Sequence, residues 1–347
     1  MTLAEHLSRP FSHWMAGEGA DADVVVSTRV RLARNLRGYP FPEYLREDMA
    51  QRLLDQVSAA VEVLGAEWDV YRLGEVDPVD CRVLVEKHLI SPQHAQERRF
   101  RGIALNSSES GSIMINEEDH LRIQVLEPGL GVDTALAGAS AAEGALGGRL
   151  DFAFDEEKGY LSACPTNVGT GLRVSVMLHL PALTLTGQAP RVWVALRKLG
   201  IAVRGLYGEG TDAAGDLFQI SNQITLGPSE AEIAAGLVQV TRQVVEQERH
   251  ARGLLITESR QEIADRVGRA YGVLRHAHLI SAEEAMRLLS DVRLGVESGL
   301  LDRPERQKLN ELLVVTLPGY LDRNAGRPLG RKERWALRAQ WIRERVA

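Results

Sequence analysis

A chain of 347 residues, 44% apolar and 25% charged, has the length of about two domains and the composition of a soluble globular protein. A net charge of −6 argues against a direct nucleic-acid binder, and no apolar run reaches the ~18 residues of a membrane span. Two cysteines, Cys81 and Cys164, set up neither a disulfide framework nor a metal spacing, and MTLAEHLSRPFSHW lacks the basic and apolar regions of a secretory signal, so the expected compartment is the cytoplasm.

In chain order, DVVVSTRVR (23–31) reads as a β-branched strand ending in charge. Residues 46–64 carry helical apolar spacing (Met49, Leu53, Leu54, Val57, Val61, Leu64), closed by Gly65. Residues 111–126 read as a hairpin, GSIMIN and HLRIQVL around a charged turn region. Strands are expected at 173–180 and 201–206 with a helix at about 190–199 between them. The glycine-rich loop YGEGTDAAGD and a strand LFQISN follow. Ser229 and Glu232 have capping-box spacing and open a long helix to about Arg252. After Gly253 the pattern is helical, with capping-box spacings at Ser259/Glu262 and Ser281/Glu284 and punctuation at Pro304, Pro318 and Pro328. The expected fold class is α+β: a mixed region over 1–255 with a largely antiparallel sheet flanked by helices, then a small all-helical domain over 256–347.

The charge pattern raises a chemical question. NEEDHLR (116–122) places three acids, an imidazole and a guanidinium beside an apolar strand. If that run stays extended, Glu118, His120 and Arg122 share one face while Leu121, Ile123 and Val125 pack on the other. A surface salt-bridge ladder is one reading. Three further segments bear on it. STRVR puts Arg29 and Arg31 on one strand face, CPTNVGTGLR places Cys164 and Arg173 around two glycines, and RGLYGEG places Arg204 and Glu209 around a glycine loop. Each also has a plain structural reading: paired surface arginines, a buried cysteine, a hairpin loop. Together they put arginines at strand ends or beside glycine turns, a set suited to a polyphosphate, because the guanidinium fork binds phosphate oxygens bidentately and keeps its charge. The chain has no Walker A sequence and no H-R-D catalytic loop. Of the 41 Lys and Arg, 36 are Arg, which reads as composition bias. Residues 320–347 carry eight Lys/Arg against three acids, either a solvated basic helix face or an anion receiver.

The blocks STRVRLARN, NEEDHLR, CPTNVGTGLR and RGLYGEGTD, in that order, resemble the phosphagen (guanidino) kinases. VRLARNL, LVEKHLISP, VRGLYGEGTDAAGDLFQISNQITLG and AGRPLGRKERWALRAQWIRERV are similar to the McsB-type protein-arginine kinase branch, so the resemblance spans nearly the whole chain. It implies transfer of the ATP γ-phosphoryl, with Mg²⁺, to arginine side chains of proteins. It implies Glu118 and Glu209 as the carboxylates that grip the acceptor, Glu118 as the base, and Cys164 as the reactive cysteine. It also implies a nucleotide site at Ser27, Thr28, Arg29, Val30 and Arg31, at His88 and Arg122, at Arg173, Val174, Ser175, Val176 and Met177, and at Arg204, Gly205, Leu206, Tyr207 and Gly208. Small-molecule guanidino kinases carry a helical domain before the STRVR block; here the block starts at Ser27, and the resemblance implies that the acceptor site would be open enough for a protein loop.

In the McsB branch a C-terminal R-D-x-x-R-A motif binds phosphoarginine and couples it to activity, an allosteric role. The matching stretch is RWALRA, with Arg334, Arg338 and Ala339 in place and Trp335 at the Asp position. Arg334 and Arg338 fall on one helix face and could receive a phosphoryl group; a plain dimerisation helix is the other reading. The resemblance further implies protein substrates with accessible arginines, a McsA-type activator, a Clp-type protease in protein quality control under stress, and a homodimer. The alternatives in play are a small-molecule guanidino (arginine) kinase and a non-catalytic phosphoarginine-binding scaffold.

Overall fold

The computed structural model of the protein describes residues 1–205 and 213–347. In chain order its elements are α1 (Leu3–Ser8), β1 (Val25–Arg34), α2 (Glu47–Val61), β2 (Trp68–Arg72), α3 (Pro78–Glu86), α4 (Pro92–Gln96), β3 (Gly102–Asn106), β4 (Gly111–Ile115), β5 (Leu121–Pro128) and α5 (Val132–Gly147). They continue with β6 (Phe154–Asp155), β7 (Gly159–Tyr160), β8 (Leu172–His179), α6 (Pro181–Leu185), α7 (Ala189–Lys198), β9 (Ile201–Gly205), β10 (Leu217–Asn222) and α8 (Glu230–Glu258). The last five are α9 (Arg260–His276), α10 (Ala282–Glu297), α11 (Arg306–Val315), α12 (Pro318–Asn324) and α13 (Arg331–Val346).

Among the described residues, eight strands form one sheet in the order β2-β3-β4-β5-β1-β8-β10-β9, and every neighbouring pair is antiparallel. The period of two along β1 sorts its residues cleanly. Val30 and Leu32 point to one face, where they join Ile123, Val174, Val176, Val203 and Ile220 in a core closed by Ala135 and Ala139 of α5 and Leu237 and Val244 of α8. Arg29 and Arg31 point to the other. The far end of that second face is covered by a separate core that includes Trp14, Leu89, Ile103, Met114 and Leu126 and runs into the C-terminal helices through Leu289, Leu312 and Ile342. The helices after residue 258 therefore share a core with the sheet. They are also tied to it by polar contacts: the Arg293 guanidinium donates to Asn310 (2.7 Å) and to the Ala22 carbonyl (3.2 Å), and the Ser290 hydroxyl donates to Asp216 (2.6 Å).

The backbone forms the hairpin expected at 111–126 and corrects two expectations about the helices. The run 116–120 is the hairpin's turn: β4 ends at Ile115, β5 starts at Leu121, and Asn116 has φ +58°. Its charged residues are presented in several directions instead of alternating on a strand. The long helix α8 passes through Gly253 to Glu258, because Glu248, Ala251 and Arg252 bury its flank and outweigh the ~1 kcal/mol that an interior glycine costs. Ser259 makes no side-chain cap, since it serves both as the C-cap of α8 and as the N-cap of α9 and its N–H is taken by the Leu255 carbonyl; Ser229 does form the full capping box.

Candidate active site

Register builds an arginine cluster on the open face of the sheet. Arg31 lies directly opposite Arg173 of β8, and Arg122 of β5 is opposite Ala33, one same-face step away. Arg29 is opposite Ser175, and Gln219 of β10 is opposite both Met177 and Arg204. Five strands thus contribute to one polar surface. Arg29 donates to Gln219 Oε1 (2.8 Å) and Arg173 donates to Ser221 Oγ (3.1 Å). The Nε groups of Arg31 and Arg173 are buried with no hydrogen-bond partner among the described residues. Loss of water, then repulsion from its neighbours, lowers Arg29 to about 10. The same causes push Arg31 well below the usual guanidinium range and lower Arg173. Crowded cations with unpaired donors are suited to receiving an anion.

The turn 116–120 gives each charged residue a separate task. Glu117 is buried; burial alone would raise its carboxyl, but the Arg122 guanidinium at 2.9 Å, Ser91 Oγ at 2.6 Å and the Glu118 N–H at 2.7 Å outweigh that and hold it low. Glu118 is 40% exposed and accepts from Arg122 Nη2 at 2.6 Å. Asp119 is fully buried and accepts from Asn35 Nδ2 (2.6 Å), Ser162 Oγ (2.9 Å) and the Ala163 N–H (2.9 Å). His120 accepts the Leu36 N–H on Nδ1 and meets the Pro40 carbonyl through Nε2 (2.8 Å), so it faces away from the Glu118–Arg122 pair. Asp119 therefore fastens the segment that leads into Cys164 to the turn that carries Glu118. The thiol lies 3.1 Å from Thr166 Oγ1, at the start of a short 3₁₀ turn.

His88 adopts φ +63° and packs against the Trp14 ring, centroids 5.3 Å apart. Loss of water and the nearby Arg29 charge lower its imidazole to about 3, so the ring is neutral. It shares a small cavity with Ser27, Arg29, Ser175, Met177 and Gln219. Val30, Val174 and Val176 are placed differently from the arginines: their side chains lie in the core on the opposite face. Thr28 is also engaged elsewhere, donating to the Gly129 carbonyl and accepting from the Gly131 N–H. Arg204 and Gly205 end β9 beside the cluster, and Arg204 is exposed. Leu206, Tyr207, Gly208 and Glu209 lie outside the described residues.

The C-terminal arginines have unlike surroundings. Arg338 is buried, with Nε on the Thr316 carbonyl (2.8 Å) and Nη1 on the Ile280 carbonyl (3.0 Å); Ala339 is buried behind it. Arg334 is part-exposed and pairs with Asp322 (2.9 Å), an acid supplied by α12. Trp335 carries the Arg331 guanidinium over its ring at 5.3 Å. The single accessible face expected for Arg334 and Arg338 is not formed, because neighbouring carbonyls absorb Arg338.

Sequence reasoning overlooked Glu117, Asp119, Gln124, Gln219 and Ser221. The signal for the last two was present: in LFQISN, Gln219 and Ser221 alternate with Phe218 and Ile220. Gln124, which donates to the His88 carbonyl (2.9 Å), alternates in the same way with Ile123 and Val125.

Comparison with known proteins adds to this geometry. Residues 50–251 match the family model described as ATP:guanido phosphotransferase, C-terminal catalytic domain. Residues 260–347 match that described as protein-arginine kinase McsB C-terminal domain. The chain is 53% identical to a protein-arginine kinase of Symbiobacterium thermophilum over 99% of each chain, and 51% identical to one of Moorella thermoacetica over 97% of each. Its fold is similar to a crystal structure of lombricine kinase (TM-score 0.60, 26% identity, 67% of this chain and 68% of that one). It is also similar to the duplicated taurocyamine kinase from Schistosoma mansoni with bound transition-state analogue components (TM-score 0.61, 25% identity, 80% of this chain and 41% of that one).

Proposed function

The chain belongs to the ATP:guanido phosphotransferase family, in its protein-arginine kinase branch, and on that premise we propose that it transfers the γ-phosphoryl of ATP to arginine side chains of proteins, forming a P–N bond. The observation that carries the reading is the arginine face, whose orphaned, part-buried guanidinium groups call for a polyanion beside an exposed carboxylate and a thiol.

In this reading Arg29, Arg31, Arg122, Arg173 and Arg204 clamp the phosphates. His88, Ser27 and Met177 border the base, and Gln219, Ser175 and Ser221 hold the arginine forks in line. The core-facing Val30, Val174 and Val176, with Thr28, contribute backbone shape only. Mg²⁺ would come with the nucleotide rather than be held by the described side chains, and would supply further neutralisation of phosphate charge. Arg122 is paired with Glu118. A phosphate that draws Arg122 away leaves Glu118 open to the cationic acceptor, which couples nucleotide binding to acceptor binding.

Glu118, with Glu209 as its partner, orients the acceptor guanidinium and takes a proton from one nitrogen. The freed lone pair attacks the γ-phosphorus, the bond from phosphorus to the β–γ bridging oxygen breaks, and ADP leaves with its new charge neutralised by the arginines. Cys164 borders the same acceptor. The Clp-type protease, the McsA-type activator and the homodimer implied by the resemblance belong to this proposal and rest on family likeness alone.

The test is a transfer assay with Mg-ATP on an unfolded arginine-rich protein beside free L-arginine at equal guanidinium concentration, read by phosphorus NMR and acid lability. An acid-labile product on protein is the expected result. A product on free arginine alone would overturn the reading in favour of a small-molecule kinase.

A further inference from the structure

A kinase that acts on an arginine within a polypeptide must also accommodate the chain on either side of that arginine. The loop 164–171 that carries Cys164 is bordered by an open groove of about 540 Å³, within the ~300–1,000 Å³ range of ligand-sized clefts. The groove floor is the backbone that fixes that loop. The Thr170 N–H donates to the Thr225 carbonyl (2.9 Å), and Thr225 Oγ1 donates to the carbonyls of Thr166 (2.9 Å) and Val168 (2.8 Å). Tyr160 bridges to Gly169 from the other side. A side chain at Gly169 would meet the Thr225 carbonyl at 2.2 Å, so floor and loop are in van der Waals contact.

Two large apolar side chains stand exposed on this floor: Phe154 at 48% and Leu226 at 56%. Phe154 is held edge-on to the Tyr160 ring, centroids 5.1 Å apart, and Tyr160 is held by the Arg34 guanidinium 3.4 Å above it. The apolar surface is therefore on a rigid support. It continues from Leu226 past Pro228 to Ile224 and Leu199, which line an adjoining cleft and are also more than half exposed. Glu157 and Lys158 line the groove side by side and Glu230 is paired with Arg34 at 3.5 Å, so its charges are balanced and its apolar surface sets its preference.

We propose that this groove is the docking site for the substrate polypeptide flanking the acceptor arginine, and that it selects extended segments with a large apolar residue near that arginine. The proposal rests on the protein-arginine kinase reading above. The occupant follows from continuity: a chain whose arginine reaches the Cys164 loop must run out over the surface joined to that loop. Such a segment is apolar and accessible in an unfolded protein and buried in a folded one, so the groove gives the enzyme a means of telling the two apart.

The experiment compares two unstructured peptides, each with one arginine, that differ only in Leu or Ser a few residues from it, alongside N-acetylarginine amide as a minimal acceptor. The wild type is expected to show a KM for the Leu peptide about tenfold below that for the Ser peptide. In Phe154→Ser/Leu226→Ser that preference is expected to vanish, while KM for ATP and kcat/KM for the minimal acceptor stay at wild-type values, which also reports an intact fold. Leu279→Ser, an equally exposed apolar residue elsewhere, is expected to keep the preference. A wild type without preference, or a double variant that retains it, overturns the groove and leaves the kinase reading standing. Failure to phosphorylate any of the three acceptors overturns the kinase reading and the groove with it.

Discussion

Asp119 offers the sharpest test of how the acceptor side is assembled. Its carboxylate is fully buried, and one oxygen, Oδ1, takes three donors: Asn35 Nδ2, Ser162 Oγ and the Ala163 N–H; Oδ2 adds only a second contact to Ser162 at 3.0 Å. Asp119→Ala strands up to three donors at ~1–3 kcal/mol each, less what the Ser162 hydroxyl recovers by turning, so the expected loss of stability is about 3–5 kcal/mol. Asp119→Asn can keep its carbonyl at the Oδ1 position and lose only charge assistance, so about 1 kcal/mol is expected. Urea unfolding measures both. The arginine cluster is held by five strands that Asp119 does not touch, so KM for ATP should not change. In Asp119→Ala the Cys164 loop loses its tie to the Glu118 turn, and kcat should fall roughly 10–100-fold, the scale of a misplacement near 1 Å. A variant that loses less than about 1 kcal/mol, or whose defect lies in ATP binding, would refute this account.

Arg31→Met removes the most crowded cation, so the ligand-free protein should melt at a higher temperature while ATP affinity falls at least about 100-fold; calorimetry and nucleotide titration read the two arms. Glu109→Gln leaves Lys87, 2.6 Å away and buried, without its counter-charge, and should cost about 3–5 kcal/mol in urea unfolding. Glu86 and Glu248 are raised by burial to about 7 despite each accepting two backbone N–H groups. A raised carboxyl binds its proton more tightly when folded, so its stabilisation is present below about 4.5 and is lost as pH rises through about 7. The urea midpoint should therefore fall between pH 5 and 7.5 by an amount that the paired Gln substitutions reduce. Gly169→Ala, at φ +111° with the Thr225 carbonyl in the way, should lower kcat for protein acceptors and spare ATP binding.

The sheet was legible because its strands alternate. Val30 and Leu32 against Arg29 and Arg31, or Ile123 and Val125 against Arg122 and Gln124, can be read at a period of two and assign the polar face directly. The antiparallel hairpin at 111–126 and the capping box at Ser229 follow from local chemistry in the same way. What local pattern could not reveal was which side chains the long-range packing would use up. Nothing around RWALRA announces that Arg338 will be spent on the carbonyls of Thr316 and Ile280, or that Asp322, a turn and a helix away, will pair with Arg334. Nor does NEEDH disclose the separate tasks of its acids, because these depend on partners far off in sequence, such as Asn35, Ser91 and Ser162.

That division of labour bears on how the site tolerates its own charge. Arginines on adjacent strands repel one another, and the two with orphaned Nε groups, Arg31 and Arg173, are directly opposed. The acids of the turn do not cancel this repulsion: Glu117 and Glu118 are both engaged on Arg122, at the margin of the cluster, while Asp119 and His120 are turned to structural duty. Among the described residues the central cations Arg29, Arg31 and Arg173 have no ion-pair partner, so in the proposed reading a polyanion relieves repulsion as well as making new bonds. In the proposed reading Arg122, the member of the cluster paired with carboxylates, gives up Glu118 when the polyanion enters, and Glu118 is the carboxylate assigned to the acceptor guanidinium. In that reading the Arg122–Glu118 pair competes with the acceptor guanidinium for this carboxylate, so an arginine side chain binds better once a phosphate draws Arg122 away. If so, the affinity for an acceptor peptide, measured calorimetrically, should rise when ADP is present, and Arg122→Met should bind the peptide equally well with and without nucleotide; an acceptor affinity indifferent to ADP in the wild type would refute the coupling.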